Sequence, residues 1–158
     1  MTRKRIEITT GFVQAEYNFW VGRYMDKFYD GLETKKILGN ECPTCNKVFV
    51  PPRKVCGACF KIIDLDDNWI ELKDTGTLRN FTTTRIAVSE AEKKSIPDTT
   101  LIGMVQFDGS DTAVVYPLLD LQEKDLTIGM KVQVVWADKM KGHPSDIKGF
   151  RMAEGGEK

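Results

Sequence analysis

The sequence predicts a mainly β protein in which an N-terminal helix and a small metal-binding ribbon precede a five-stranded barrel. Three observations predict this order. Apolar residues recur at helical spacing near the N-terminus, two Cys-x-x-Cys pairs follow, and β-branched stretches separated by turn residues fill the chain after Trp69. The predicted segments are residues 1–34 for the helix, 35–66 for the ribbon and 67–158 for the barrel domain.

The first element is a predicted helix from Phe12 to Leu32. Apolar side chains recur there at steps of three and four residues, which is the spacing of one helix face. Thr10 is a suitable residue to cap its start, and Gly31 suits the position just after its end. Almost half of the aromatic residues of the chain lie between Phe12 and Tyr29, so this helix is far more aromatic than the rest.

The second element is a ribbon of two short strands, predicted at residues 35–41 and 47–50. The sequence Cys-Pro-Thr-Cys forms the tight turn between them, and Cys-Gly-Ala-Cys forms a second turn of the same kind. Pro51 and Pro52 end the second strand because proline has no N–H to donate to a strand ladder.

The four cysteines of the chain all lie within this ribbon, with the spacing C-x2-C-x10-C-x2-C. Two such turns bring four thiolates into a tetrahedron, the arrangement that Zn²⁺ prefers at about 2.3 Å. The spacing predicts one structural zinc ion per chain in a rubredoxin-like ribbon, with no open position for water or substrate. The predicted ligands are Cys42, Cys45, Cys56 and Cys59.

Two other states of these cysteines stay open at this stage. The same four ligands accept iron in a site of the rubredoxin type, and four reduced thiols without metal are the simplest alternative. A redox dithiol is disfavoured because neither pair opens a helix in a βαβ context.

The third element is the barrel. Five strand-like stretches in roughly 80 residues, without a strong long helix between them, favour a small closed barrel of the five-stranded OB-fold type, with a Greek-key sandwich as the alternative. Residues 89–95 fit either a short helix or a loop. The predicted strands are Thr77–Val88, Leu101–Asp108, Thr112–Leu119, Lys131–Ala137 and Ile147–Ala153.

Composition and charge make several partners unexpected. Lys plus Arg number 23, as do Asp plus Glu, so the net charge gives no reason to expect a bulk polyanion. The start, MTRKRIEITTG, has no apolar region behind its basic residues, and no apolar run approaches the roughly 20 residues of a membrane span. We expect a cytoplasmic protein without a membrane partner.

The residues needed for catalysis are largely missing. The predicted metal takes all four thiols, and the one histidine, His143, lies in a polar turn before a proline. No Walker A loop, GxGxxG turn or HExxH helix is present. We expect His143 to be an exposed loop residue and the chain to have no complete active site.

Nucleic-acid binding is a second possibility, because OB folds can bind single strands on a basic, aromatic face. The strands of that face are expected at residues 101–108 and 112–119. From Ile96 to Glu123 there is no Lys or Arg, while five acidic residues are present, and Phe107 and Tyr116 are the available stacking residues. Repulsion of phosphates therefore makes nucleic acid an unlikely partner.

The aromatic helix suggests a protein partner instead. A lone helix before a small ribbon has little of its own domain to cover it, and exposed aromatic patches usually mark interfaces. Packing of one stripe on the chain's own barrel is the alternative for part of the set. The predicted partner-binding residues are Tyr17, Phe19, Trp20, Tyr24 and Phe28.

The order of these motifs resembles a known family. NECPTCNKVFVPPRKVCGAC, followed by GTLRNFTTTRI and IGMKVQVVW, is similar to the zinc-ribbon/OB-fold accessory proteins of thiolases, over roughly residues 15–152. The resemblance implies a non-catalytic subunit that docks on a thiolase-fold large subunit and supports acyl-CoA thiolysis. The family's metal ligands match the four cysteines, and the helix and ribbon resemble those of members serving anaerobic toluene degradation, with benzoylsuccinyl-CoA as substrate.

A coenzyme A thioester shared with the large subunit would need cations for its phosphates. An ordinary surface charge is the alternative for each candidate. Two other functions also stay open, namely an OB-fold carrier of nucleic acid and an accessory subunit of another acyl-CoA enzyme, such as a hydratase or aldolase. The candidate cations are Arg53, Lys54, Arg79 and Arg85, with Lys139 and Lys141 near the C-terminus.

Overall fold

The computed structural model describes residues 19–84 and 100–153. This part of the chain contains a helix, a three-stranded sheet and a five-stranded sheet, in that order, with short 3-10 helices at Glu123–Asp125 and Pro144–Asp146. The helix α1 spans Arg23–Glu33, and the strands are β1 Ile37–Glu41, β2 Val48–Phe49, β3 Trp69–Leu72, β4 Thr75–Thr84, β5 Thr100–Phe107, β6 Ala113–Pro117, β7 Lys131–Trp136 and β8 Ile147–Met152.

Helix α1 is shorter than the sequence predicted. Residues 19–22 are not helical, and the helix begins at Arg23 after Gly22, whose φ of 89° is incompatible with a helix. The predicted start from Phe12 to residue 18 and its cap Thr10 lie outside the described residues. Gly31 was also placed wrongly, because it lies within the helix. A Cβ there would come 2.8 Å from the Leu38 side chain, so glycine permits the close approach of β1.

The ribbon forms a sheet with the order β2-β1-β3, and both pairs are antiparallel. Strands β1 and β2 confirm the two predicted ribbon strands. Strand β3 was not predicted, and it pairs with β1 from Ile37 opposite Leu72 to Asn40 opposite Trp69. The sheet of the ribbon therefore takes a strand from beyond residue 66.

The second sheet has the order β6-β5-β4-β7-β8 and closes into a barrel. Closure comes from a parallel bridge between Leu118 and Phe150, supported by the Leu119 N–H, which donates to the Phe150 carbonyl at 2.7 Å. Strands β4, β5 and β6 form a meander, and the residue just after β6 pairs in parallel with β8. This is the strand arrangement of the OB fold. The five predicted barrel strands are confirmed, apart from the end of the first, Thr77–Val88, which falls within residues 85–99, outside the described residues.

One apolar core joins the helix to the barrel. Phe28 and Leu32 of α1 are buried in the same cluster as Phe107 and Phe150 of the barrel. The rings of Phe107 and Phe150 lie 5.6 Å apart at a tilt of 53°, within the range of favourable aromatic pairs. Helix α1 therefore packs on the chain's own barrel through one face.

Hydrogen bonds fix the ribbon to the barrel at the β5–β6 turn. The Val48 N–H donates to the Asp111 carboxylate at 2.9 Å, and the Asp111 N–H donates to the Val48 carbonyl at 2.8 Å. The Thr112 hydroxyl lies 2.8 Å from both the N–H and the carbonyl of Val50. These contacts pair the outer edge of β2, which would otherwise expose unpaired backbone groups.

Candidate functional site: a four-cysteine metal centre

The first knuckle is formed by residues 42–47. The Cys42 N–H donates to the Lys47 carbonyl at 2.8 Å, and the Asn46 N–H donates to the Cys42 carbonyl at 2.8 Å. Asn46 has a φ of 57°, a left-handed conformation that asparagine tolerates well. The backbone thus folds back on itself and directs Cys42 and Cys45 towards one point.

The second knuckle, residues 56–61, repeats this geometry. The Cys56 N–H donates to the Lys61 carbonyl at 2.9 Å, and the Phe60 N–H donates to the Cys56 carbonyl at 3.0 Å. Phe60 occupies the position of Asn46 and has a φ of 60°. The two knuckles therefore present their cysteines from opposite sides of one site.

The four sulfur atoms form a compact cluster. All Sγ atoms lie within 4.8 Å of one another, and the pairs Cys42–Cys59 and Cys45–Cys56 are each 3.5 Å apart. This separation is too long for a disulfide bond. It is close to the sulfur–sulfur edge of about 3.8 Å that a tetrahedral zinc–thiolate site requires. The predicted ligand set is therefore assembled as expected.

The electrostatics of the cluster also fit a dication. Burial raises the pKa of Cys56, but the N–H donors of Cys59 and Ala58, together with the sulfurs of Cys45 and Cys59, lower it to about 6. The Lys47 N–H lowers the pKa of Cys45, but burial and the neighbouring sulfurs together raise it to about 12. The N–H groups of the knuckles favour the thiolate form of each cysteine, but four thiolates so close together repel one another. A bound divalent cation offsets that repulsion and so allows all four cysteines to ionise.

The surroundings indicate a structural ion. Cys42 and Cys56 are fully buried and pack with Phe49 and Ile63, and the other two cysteines are half-buried. Four protein ligands complete a zinc site and leave no position for substrate. When bound, the ion links the two knuckles and so stabilises the ribbon.

Asn40 is a positioning residue that the sequence analysis missed. Its side chain is fully buried, donates to the Arg53 carbonyl at 2.7 Å and accepts from the Arg53 N–H at 3.0 Å. Asn40 of β1 thus forms hydrogen bonds with both the N–H and the carbonyl of Arg53, which lies in the loop between the knuckles. A polar residue within the apolar ILGNE strand was the available signal.

The predicted partner-binding residues divide into two groups. Phe28 is 4% exposed and belongs to the chain's own core, whereas Phe19 and Trp20 are 78% and 70% exposed. Tyr24 is partly covered, and its hydroxyl donates to the Ile63 carbonyl at 2.6 Å. Tyr17 lies outside the described residues. Partner binding stays a prediction for this set, and the exposed aromatic pair, Phe19 with Trp20, is the part that faces solvent.

The predicted coenzyme A cations are spread over two parts of the chain. Arg53 and Lys54 are exposed on the loop between the knuckles, and Arg53 lies 5.5 Å from the centre of the Phe49 ring. Arg79 is exposed on β4 and donates to the Gln106 side chain at 2.8 Å. Arg85 lies outside the described residues, and Lys139 and Lys141 are exposed before the second 3-10 helix. Coenzyme A contact stays a prediction.

His143 is an exposed loop residue, as predicted. Its side chain accepts from the Ser145 N–H and caps the short helix at Pro144–Asp146. Burial raises the pKa of Asp146, but N–H donors of Lys141, His143 and Gly142 hold it below its ordinary value. Capping of this short helix explains the position of His143, the one histidine of the chain, without invoking a catalytic role.

A groove of about 430 Å³ lies where α1, the end of the ribbon and the barrel meet. Phe28, Pro51, Phe107, Tyr116 and Ile147 are among its lining residues, and most of its surface is apolar. The Tyr116 hydroxyl donates to the Pro144 carbonyl at 3.2 Å. None of the lining residues is Cys, His, Lys, Arg, Asp or Glu, so the groove has no thiol, imidazole, amine or carboxylate, and its ionisable side chain is the Tyr116 phenol.

The second knuckle carries exposed apolar residues that the sequence analysis also missed. Phe60 is 79% exposed, Ile62 67% and Val55 45%. Their apolar character is visible in the sequence, but strand periodicity gave no means of telling that they face solvent.

In the described residues, no helix is both long and apolar enough to cross a membrane.

Two family models match the chain, one over the ribbon and one over part of the barrel. The model described as the ChsH2 rubredoxin-like zinc ribbon domain matches residues 30–61. The model described as the ChsH2 C-terminal OB-fold domain matches residues 69–137. The first match identifies the four-cysteine site as a structural zinc site.

Three known proteins are similar to this chain. A DUF35 domain-containing scaffold protein of Methanocaldococcus jannaschii is 22% identical over 100 residues, which are 63% of this chain and 67% of that protein. A DUF35 protein of unknown function from Sulfolobus solfataricus has a TM-score of 0.56 at 22% identity, covering 80% of this chain and 81% of its own. The Ltp2-ChsH2(DUF35) aldolase structure has a TM-score of 0.61 at 18% identity, covering 85% and 98%.

Proposed function

We propose that this chain, whose ribbon and barrel match the ChsH2-type zinc ribbon and OB-fold domains, is a non-catalytic subunit of a cytoplasmic thiolase. It docks on the thiolase-fold large subunit, which carries the chemistry, and supports thiolysis of an acyl-CoA. The observation that carries the proposal is the exposed aromatic pair: Phe19 and Trp20 are 78% and 70% exposed although the chain has its own apolar core.

The chemistry of the described residues supports a subunit without turnover of its own. The zinc site takes every thiol, and the one histidine caps a 3-10 helix. The groove beside the barrel has no thiol, imidazole or carboxylate among its lining residues. Thiolysis needs a nucleophilic thiol and a base, so these must come from the partner.

Two similar proteins support an accessory role. The relative from M. jannaschii is described as a scaffold protein, and one solved structure combines a ChsH2 DUF35 chain with Ltp2 as an aldolase. The second description favours an alternative, in which this chain serves an aldolase rather than a thiolase. The two proposals share the docking role and differ in the reaction that the partner catalyses.

The resemblance of the helix and ribbon to the small subunit of benzoylsuccinyl-CoA thiolase favours thiolase and supplies the proposed substrate. On that proposal the thioester binds mainly to the large subunit. Five of the candidate cations for its phosphates are exposed among the described residues: Arg53, Lys54, Arg79, Lys139 and Lys141. Changing Arg79 to Ala tests one of them, because it removes a cation while leaving the apolar barrel core intact.

The test is co-purification from native cells with a tagged chain, followed by mass spectrometric identification and recombinant production of the partner. We expect a thiolase-fold subunit, and we expect the double change Phe19→Ser and Trp20→Ser to weaken its binding at least tenfold. Ile128→Ser is the matched control, since Ile128 is 63% exposed on the barrel domain. An aldolase as the partner would replace the thiolase proposal, and undiminished binding by the double variant would remove the docking role of the aromatic pair.

A further inference from the structure

The two zinc knuckles have the same backbone but carry very different residues at one equivalent position. Asn46 and Phe60 each follow the second cysteine of a pair, with φ values of 57° and 60°. Asparagine adopts this left-handed conformation readily, whereas a bulky aromatic residue rarely does. The first knuckle shows that folding of this turn requires no aromatic side chain.

Phe60 is also unfavourable as a surface residue. Its side chain is 79% exposed, so it contributes little to the core of the ribbon. Phe60 therefore combines a strained backbone with an exposed large apolar side chain, and neither feature stabilises the fold. Strained positions that persist are often retained for function, which makes Phe60 a candidate for a contact outside the chain.

Phe60 does not stand alone. Val55 and Ile62, which are 45% and 67% exposed, form an antiparallel bridge beside the knuckle. Residues directly opposite in an antiparallel pair point to the same face. We call Val55, Phe60 and Ile62 the knuckle patch.

Positive charge borders the knuckle patch. Arg53, Lys54 and Lys61 are exposed, and residues 53–63 contain no acidic residue. The ion pairs recorded among the described residues involve neither Lys54 nor Lys61. An apolar patch with a basic rim is complementary to an apolar socket bordered by carboxylates.

The knuckle patch also adjoins the proposed docking residues. The Tyr24 hydroxyl reaches the carbonyl of Ile63, the residue that follows Ile62. The start of α1, which follows Phe19 and Trp20, therefore lies beside the segment that contains Ile62. One partner surface can cover both.

We propose that the knuckle patch is a second docking surface, which inserts Phe60 into an apolar socket rimmed by Asp or Glu on the partner enzyme. This inference rests on the proposed function and adds the contact chemistry of the ribbon. A protein is favoured over single-stranded nucleic acid because the aliphatic side chains of Val55 and Ile62 offer no ring for base stacking.

The decisive variant is Phe60→Asn, which gives the second knuckle the residue of the first. It relieves the left-handed strain, so zinc content stays at one per chain and the melting temperature is unchanged or higher. We expect at least a tenfold loss of affinity for the purified partner enzyme, measured by isothermal titration calorimetry. Ile62→Ser should weaken binding, whereas its matched control Ile128→Ser, at similar exposure, should not.

The contribution of the basic residues around the knuckle patch is tested by measuring how the affinity for the partner changes with ionic strength. Lys54→Ala combined with Lys61→Ala should flatten the dependence of affinity on ionic strength. If these lysines serve only to offset the thiolate charge, the double variant will lose zinc and keep the salt dependence, which contradicts the proposal.

The outcomes separate this inference from the proposed function. Wild-type affinity of Phe60→Asn for a thiolase-fold partner would overturn the inference and leave the proposed function standing. A Phe60-dependent complex with an enzyme of another fold would retain the inference and reject the thiolase. Absence of any enzyme partner, or Phe60-dependent binding of a poly(U) oligonucleotide in its place, would overturn both.

Discussion

The ribbon and the barrel are both antiparallel β structures, yet different forces hold them. The buried cluster of the ribbon consists of two cysteines with Phe49 and Ile63. The barrel shares a far larger apolar cluster with α1, centred on buried residues such as Leu78, Phe107 and Phe150. The cysteine end of the ribbon therefore depends on its metal, whereas the barrel and the ribbon residues Ile37 and Val50, which belong to the shared core, depend on side-chain packing.

Loss of a zinc ligand should have the largest effect and should act on the ribbon. Cys56→Ser removes a buried thiolate, and structural zinc supplies about 10–16 kcal/mol of binding free energy that is coupled to folding. We expect loss of zinc by atomic absorption and collapse of the ribbon's amide signals in NMR spectra, with the barrel signals retained. Ala58→Ser is the control, because the exposed Ala58 bonds through its backbone N–H. Retention of native ribbon signals by Cys56→Ser would show that packing alone holds the ribbon.

A core truncation in the barrel should have the next largest effect. Phe150 is fully buried and contacts the rings of Phe107 and Tyr116. Phe150→Ala should lower the free energy of unfolding by about 3–5 kcal/mol, measured by urea denaturation. The zinc content of the variant while it is folded should stay at one per chain. Loss of zinc by the folded variant would mean that the two regions do not have separate sources of stability.

The smallest expected effect is confined to acidic pH and to the barrel. N–H donors hold the pKa of Asp146 below its ordinary value in the folded protein, despite the burial that raises it. Its contribution to stability is therefore present above the unfolded pKa and is lost as pH falls towards the folded pKa. We expect Asp146→Asn to reduce the loss of stability between about pH 5 and pH 2, followed by urea denaturation. The exposed Glu123→Gln is the control, and an unchanged profile for Asp146→Asn would assign the acid sensitivity to other groups.

The sequence predicted the metal centre more completely than it predicted the surfaces. The cysteine spacing specifies four ligands because a tetrahedral site needs few other residues, and the barrel strands follow from β-branched alternation. The start of α1 was predicted too early, because periodicity continues through Trp20 although Gly22 has a positive φ. Strand β3 was missed because four residues after a polar turn give too short a pattern.

The exposure of individual aromatic side chains was the hardest feature to predict. Phe28 and Trp20 both fit helical spacing, but only a folded core can show that one is buried and the other faces solvent. The left-handed conformation of Phe60 depends on the closing hydrogen bonds of the knuckle, which residue type does not reveal. Comparison of the two knuckle sequences, with Asn in one and Phe in the other, was the signal available.

Thioester turnover measured on the purified chain and on its complex tests the central claim, which is that this chain supports chemistry that its partner performs. The zinc-loaded chain alone should cleave no acyl-CoA in the presence of free coenzyme A, and adding it to the large subunit should raise kcat/KM for thiolysis. Steady-state cleavage of a thioester by the isolated, zinc-loaded chain would contradict the account.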